Sequence, residues 1–275
     1  MENWRRFVNE SENESGGLVD ISAGPDVVLQ AVPQLLADPE LKNIVTSGRG
    51  DGDIPDEIIE INPDVKKASD LRPTQAEIGS VQSLKDQSED NFGNLDRAIA
   101  GGKLGSKAGL FPILVFQNFI LDGHHRWSQF MTTNPNAMVD VAEISAPGVS
   151  DPKTALALLH YMNFALFGQS PTKDFQGDNV YNMSYDDIYQ QALGWMAEST
   201  VQKLSKANLI PEPTKEAAAK HFADNLSKIP GPGQFSRTKM PQPGDAGSPD
   251  GYATTPELAA QGAINYDDPK KSDAG

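Results

Sequence analysis

A chain of 275 residues has room for one large domain or for a medium domain with appendages. Its formal charge of −15 disfavours adhesion to duplex DNA or to an anionic membrane, since both need a basic face, and leaves room only for a local basic pocket. The absence of cysteine excludes disulfides, thiolate metal sites and a cysteine nucleophile.

No apolar stretch reaches the ~20 residues of a membrane span. The longest, ALALLHYMNFALFG at 155–168, is interrupted by His160 and Asn163. The opening MENWRRFVNESENESGG has no apolar core of signal-peptide type, so a soluble, cytoplasmic protein with no membrane partner is expected. Residues 1–53 read as an acidic extension with short helices, whose first residues suit a frayed terminus better than a short docking helix built from Arg5 and Arg6 beside Trp4 and Phe7. Within GPDVVLQAVPQLLADPELKNIV (24–45), Asp26 suits a first helical turn and Pro33 the start of a second helix. TSGRGDGDIPD (46–56) is a loop that lacks the alternating carboxylates and distal Glu of a calcium site.

From Ile54 the texture changes. EIIEINPDV reads as a short strand, and ASDLRPTQ as an extended segment. AEIGSVQSLKDQ places Ile78, Val81 and Leu84 on one face of an amphipathic helix. A short helix and a glycine-rich connector follow over 91–110. Strands are expected at Ile113–Phe116 and Phe119–Leu121 around a Gln117-Asn118 turn, then a helix from RWSQFMTTN and a strand at 138–144. Strand, helix, hairpin, helix, strand predicts an α/β (α+β) domain over 54–150. Residues 151–229 read as a helical region, with helices at 151–168, 184–210 (capped by Ser184) and 213–229. His160 is expected to be a core residue and His221 a solvated one. Residues 230–275, rich in Pro and Gly, read as an unpacked tail.

ILDGHHRW (120–127) carries the chemistry. An apolar strand ends, glycine turns the chain and a helix opens. This is either a polar turn of the fold or a phosphate-binding turn. Helix-opening N–H groups have no partner within the helix and sit at the positive end of its dipole. A phosphate placed there would meet those donors, with Arg126 as a bidentate clamp. His124 and His125 would donate to phosphate or shuttle protons. Asp122 would orient a histidine, hold Mg2+ or accept a proton.

PILV…FILDGHHRW resembles the signature of the ParB/sulfiredoxin-like superfamily, where a hairpin leads into a DGHHR, GCHR or GERR turn that opens a helix. Upstream, SDLRPTQAEIGSVQSLKDQ is similar to that family's second landmark, an RP segment followed by a helix carrying V-x-S-L. The resemblance covers residues 54–145, about a third of the chain. It implies a small mixed-sheet domain with a nucleotide pocket for ATP or CTP with Mg2+. Gly123, His124, His125 and Arg126 would then contact phosphate, and Arg72 and Ser83 would line the other side. Asp122 would sit beside the transferred phosphate and hold the metal, and Asp122, His124 and His125 would form the catalytic group. Glu57, Glu60, Asp70 and Glu77 are candidates for an upstream base.

The departures restrict the chemistry. His124 stands where sulfiredoxins have their cysteine, Ser80 replaces a lysine, and no basic helix-turn-helix follows. The expected function is an NTPase or phosphotransferase. The alternatives are a metal-assisted nuclease or DNA-linked protein, and a non-catalytic module docking on a larger assembly through its helical half or termini. Acidity, lack of cysteine and the expected tail suit a bacteriophage accessory protein of the host cytoplasm or virion.

Overall fold

The structure, a computed structural model, describes residues 19–46, 59–106, 109–110, 112–246 and 254–265. The docking-like segment around Trp4, the loop after Thr46 and Glu57 lie outside the described residues. The class is mixed α/β (α+β). By contact density the chain forms two compact units, one from residues 1–62, 143–172 and 239–275, the other from 63–142 and 173–238. These units cut across the expected succession of 54–150, 151–229 and 230–275. Among the described residues no helix is long and apolar enough to cross a membrane.

In the first unit, α1 (Pro25–Ala37) and α2 (Pro39–Thr46) precede α6 (Pro152–Phe167) and α10 (Thr254–Ala260). Helix α6 is apolar on nearly every side, and every residue from Thr154 to Ala165 is buried. A helix of that kind has to be surrounded, and α1, α2 and α10 all pack against it. Asp151 and Thr154 close a capping box at its start, and Gly168, at φ 72°, ends it in the left-handed region. His160 is a core residue, as the apolar helix predicts: its Nε2–H donates to the Lys239 carbonyl at 2.9 Å, and its Nδ1 lies 2.7 Å from Ser170 Oγ. Burial pushes its pKa down to about 4.

Two sequence expectations fail in this unit. Pro33 does not open a helix; it lies inside α1 on the exposed side, and Pro39 opens α2. Part of the expected tail is packed: Met240, Ala246, Ala259 and Ile264 are buried, the Asn265 N–H donates to the Val45 carbonyl, and the Tyr161 hydroxyl donates to the Asn265 carbonyl.

The second unit is organised on a five-stranded sheet of order β1-β7-β5-β6-β2. Its strands are β1 (Glu60–Lys67), β2 (Arg72–Pro73), β5 (Ile113–Phe116), β6 (Phe119–Asp122) and β7 (Met138–Ser145). A separate two-stranded sheet joins β3 (Gly105–Ser106) to β4 (Gly109–Leu110). Strands β5 and β6 form the expected hairpin, with Gln117 at φ 55° in its turn. β2 runs parallel to β6, pairing Arg72 with Phe119 and Pro73 with Ile120. That pairing carries the segment after Pro73 alongside the end of β6, where the DGHHR turn begins.

Helix α5 (His124–Thr133) packs against α4 (Asn94–Ala100), α9 (Lys215–Leu226) and a π-turn at Val81–Lys85 that runs into α3 (Asp86–Ser88). The π-turn re-phases the predicted stripe: Ile78 and Leu84 are fully buried, whereas Val81 is 44 % exposed. Trp127 of α5 is buried, and its indole N–H donates to the Ala68 carbonyl at 2.9 Å. His221 is half-buried rather than solvated. It donates to the Thr133 carbonyl at 2.8 Å while Asn225 donates to that of Thr132, so α9 caps the last turn of α5. The helix expected over 184–210 is two, α7 (Tyr185–Trp195) and α8 (Glu198–Lys206). Between them Ala197 is extended, and its N–H donates to the Ser88 carbonyl at 2.8 Å.

Candidate functional site

The turn is built around a glycine whose conformation other residues adopt only under strain. Gly123 caps α5 at φ 95°, a conformation L side chains rarely adopt. A Cβ there would also lie 2.8 Å from Arg126 Nη2, because the Arg126 side chain folds back over the turn. Arg126 Nη2 donates to Asp122 Oδ2 at 2.7 Å, with the two side chains only 13 % and 19 % exposed. Arg126 Nε is buried with no hydrogen-bond partner among the described residues. The start of α5 has no side-chain cap and no acidic residue in its first turn. A helix start of this kind presents positive potential and unpaired amide donors.

The two histidines part company. His124 is buried and turned towards the segment after β2, where the backbone N–H groups of Thr74 and Gln75 both donate to its Nε2, at 3.1 and 3.2 Å. Nε2 is therefore an acceptor, the ring proton sits on Nδ1, and the imidazole is neutral. Burial first, then the neighbouring His125, Arg237 and Arg126, hold its pKa well below the ordinary range. His125 is pushed down to about 3 by burial and then by Arg237 and Arg126. Its ring approaches Gly79, where a Cβ would lie 3.9 Å from Nε2.

Arg237 enters from the stretch expected to be tail. The Phe235 N–H donates to the Thr74 carbonyl at 3.0 Å, Gly233 N–H to Gln75 at 3.0 Å, and Ala76 N–H to Phe235 at 2.7 Å. Residues 233–237 thus lie as a strap along 74–77. The fit is so close that a Cβ on Gly233 would fall 2.0 Å from the Thr74 carbonyl carbon. The strap continues into Arg237, whose backbone N–H donates to Glu77 Oε2 at 2.8 Å and whose Nη1 donates to Gln75 Oε1 at 3.1 Å.

Of the residues singled out in the sequence, Asp122, Gly123, His124, His125 and Arg126 are gathered at the turn, and Glu77 is tied to it through Arg237. Arg72 and Ser83 form no hydrogen bond or ion pair with 122–126. Arg72 is exposed and caps the Ser69 and Leu71 carbonyls. Ser83 is buried, donates to the Gly79 carbonyl at 2.7 Å and touches Ser128 Oγ at 2.6 Å, joining the π-turn to α5. Ser80 is buried with its hydroxyl unpartnered among the described residues. Glu60 opens β1 at the edge of the sheet, and Asp70 lies in a short 3-10 turn after β1. Arg237 is the component that sequence reasoning missed; its only local signal is a basic RTK in a Pro/Gly-rich stretch.

The arrangement sets two guanidinium groups, an uncapped helix start and two neutral imidazoles around one glycine turn. Such a set is suited to holding an anion. It is poorly suited to taking a proton at neutral pH, because neither imidazole has basicity in that range. Among the described residues there is no group of three His, Asp or Glu side chains able to hold a resident metal ion. No family model, curated protein or solved structure matches this chain.

Proposed function

We propose that the DGHHR turn binds the phosphates of a nucleotide, ATP or CTP, and that the chain is a ParB/sulfiredoxin-like nucleotide-binding protein. One observation carries the reading: the Arg126 side chain folds back over the uncapped start of α5, its Nη2 2.8 Å from where a Cβ on Gly123 would lie and its Nε buried without a hydrogen-bond partner among the described residues. A phosphate at this turn accepts from the first amides of α5 and from the two guanidinium groups. Gly123 lets it approach the backbone, and Asp122 keeps Arg126 in place from the opposite side. Mg2+ would arrive on the nucleotide's own phosphates. NTPase or phosphotransferase turnover extends the same reading, with Asp122 as the proton acceptor nearest the turn.

Binding without fast turnover is favoured by a specific observation: His125 is held near a pKa of about 3, and His124 is occupied by two backbone amides. A nuclease fits less well, since a charge of −15 works against a path for a nucleic acid strand.

The test is thermal melting with ATP, CTP, GTP and inorganic tripolyphosphate, each with Mg2+, on wild type, Arg126→Gln and Arg237→Ala. A ligand present at a hundredfold its Kd adds ~2.7 kcal/mol to stability. The expected result is an upward shift in wild type that falls in both variants. Arg237→Ala leaves the half-buried Asp122–Arg126 pair intact and so separates lost binding from lost folding. No shift with any of these ligands would overturn the reading.

A further inference from the structure

The strap at 233–237 and the floor it lies on are held by different partners. The floor, Thr74 to Glu77, is fixed from the side of the turn. The Thr74 and Gln75 N–H groups donate to His124 Nε2, and Thr74 Oγ1 donates to the Ile120 carbonyl of β6 at 2.6 Å. The next residue is anchored as well, the Ile78 N–H donating to Asn179 Oδ1 at 3.1 Å. The strap is fastened to the other side of the same peptides. The Thr74 carbonyl that accepts from Phe235 and the Gln75 N–H that donates to His124 belong to one peptide unit, whose two polar groups point in opposite directions. Removing the strap therefore leaves the floor in place. The strap itself has little apolar anchorage: no residue from Ile229 to Lys239 is buried. A segment held mainly by backbone hydrogen bonds opens far more easily than the unit unfolds. Pro230-Gly231-Pro232 leads into it, and a Cβ on Gly231 would meet nothing within 4 Å, so there is room for a hinge.

We infer that residues 233–237 form a latch that docks and undocks, and that an anion at the DGHHR turn holds the latch closed by drawing in Arg237. The inference rests on the anion-site reading above. Gln75 sets the span across which the latch acts: its backbone N–H is on His124 Nε2 at 3.2 Å, and its side-chain oxygen is on Arg237 Nη1 at 3.1 Å. Docking thus brings Arg237 within one residue's width of the first residue of α5. It adds a second guanidinium to a turn that already holds Arg126, and both charges act on His124 and His125. An anion shared by the two guanidinium groups offsets their mutual repulsion. Binding and docking are then linked in both directions. Whatever factor the docked strap adds to anion affinity, the anion adds to docking.

The experiment is hydrogen exchange of the full chain with and without tripolyphosphate and Mg2+, beside calorimetry of the same probe. Saturating tripolyphosphate should slow exchange of the Gly233, Phe235 and Arg237 amides by about tenfold or more, beyond any slowing in α9. Gly233→Val cannot approach Thr74, so it should bind tripolyphosphate more weakly by that same factor. In Arg237→Ala the strap should exchange alike with and without the probe. Tripolyphosphate binding that leaves strap exchange unchanged relative to α9 would overturn the latch and leave the phosphate site standing. So would a response that persists in Arg237→Ala. Failure of tripolyphosphate to bind the wild type would overturn both.

Discussion

At Gly123 a single methyl group is the decisive probe. Its φ of 95° and the 2.8 Å approach of Arg126 Nη2 act together, so Gly123→Ala has to strain the backbone and displace the guanidinium. A non-glycine residue held in such a conformation costs about 1–3 kcal/mol, and urea unfolding should show a loss of that size. His124→Ala tests a different force: it strands the buried amides of Thr74 and Gln75. Leaving a buried donor unsatisfied costs about 1–3 kcal/mol, so this variant should lose stability even without any ligand, as a purely ligand-binding histidine would not. The sequence makes the need for Gly123 legible, because a strand that turns directly into a helix calls for a residue at positive φ. It does not tell the two histidines apart. Adjacent residues at a helix start point in different directions, and only the position of 74–75 decides which one faces inward. Arg237 was beyond sequence reasoning for a related reason: its place depends on backbone pairing between residues far apart in the chain.

Elements were legible where local signals agreed with the packing. The hairpin, the start of α6 after Asp151 and the start of α7 at Ser184 all follow from short-range chemistry, and all are found in place. The break between α7 and α8 was hidden, because no proline interrupts the run and the Ser88 carbonyl that draws the Ala197 N–H lies elsewhere in the sequence. Pro33 shows the opposite error, a strong local signal outweighed by the burial of Val28, Val32 and Leu35 along one face of α1. Proline inside a helix costs about 3 kcal/mol. Pro33→Ala should therefore raise the melting temperature, and an unchanged or lower value would show that the proline is required in α1. The strap at 233–237 makes its own prediction. Gly233→Val cannot keep the approach to Thr74. It should release Arg237 from Gln75 and Glu77, weakening tripolyphosphate binding while leaving the α5–α9 packing in place.

For the molecule as a whole, the buried histidines set the response to acid. His125 and His160 have folded pKa values of about 3 and about 4, against an ordinary value of 6.5. Because the folded values are lowered, these groups favour the folded state fully above pH 6.5 and lose that contribution as pH falls. In the interval the unfolded chain takes up protons that the folded chain refuses, worth up to ~1.36 kcal/mol per pH unit for each group. Unfolding free energy measured from pH 7.5 down to 5.5 should therefore decline, before the carboxylates begin to titrate. His160→Gln should flatten the slope by one proton, and a flat wild-type profile would refute the placement of both rings.

The path of the chain through its two units has a consequence for biosynthesis. Each unit is assembled from separated stretches, and the second is finished only when residues 233–238 have been made. The first waits longer still, for the Lys239 carbonyl that receives His160 and for the α10 segment. Domains that emerge whole from the ribosome can fold one after the other, but here neither unit can close before residues 233–239 have been made. A nascent chain arrested at residue 230 should therefore remain sensitive to protease over both units, and protection of the first unit should require that the segment through Asn265 has left the ribosome.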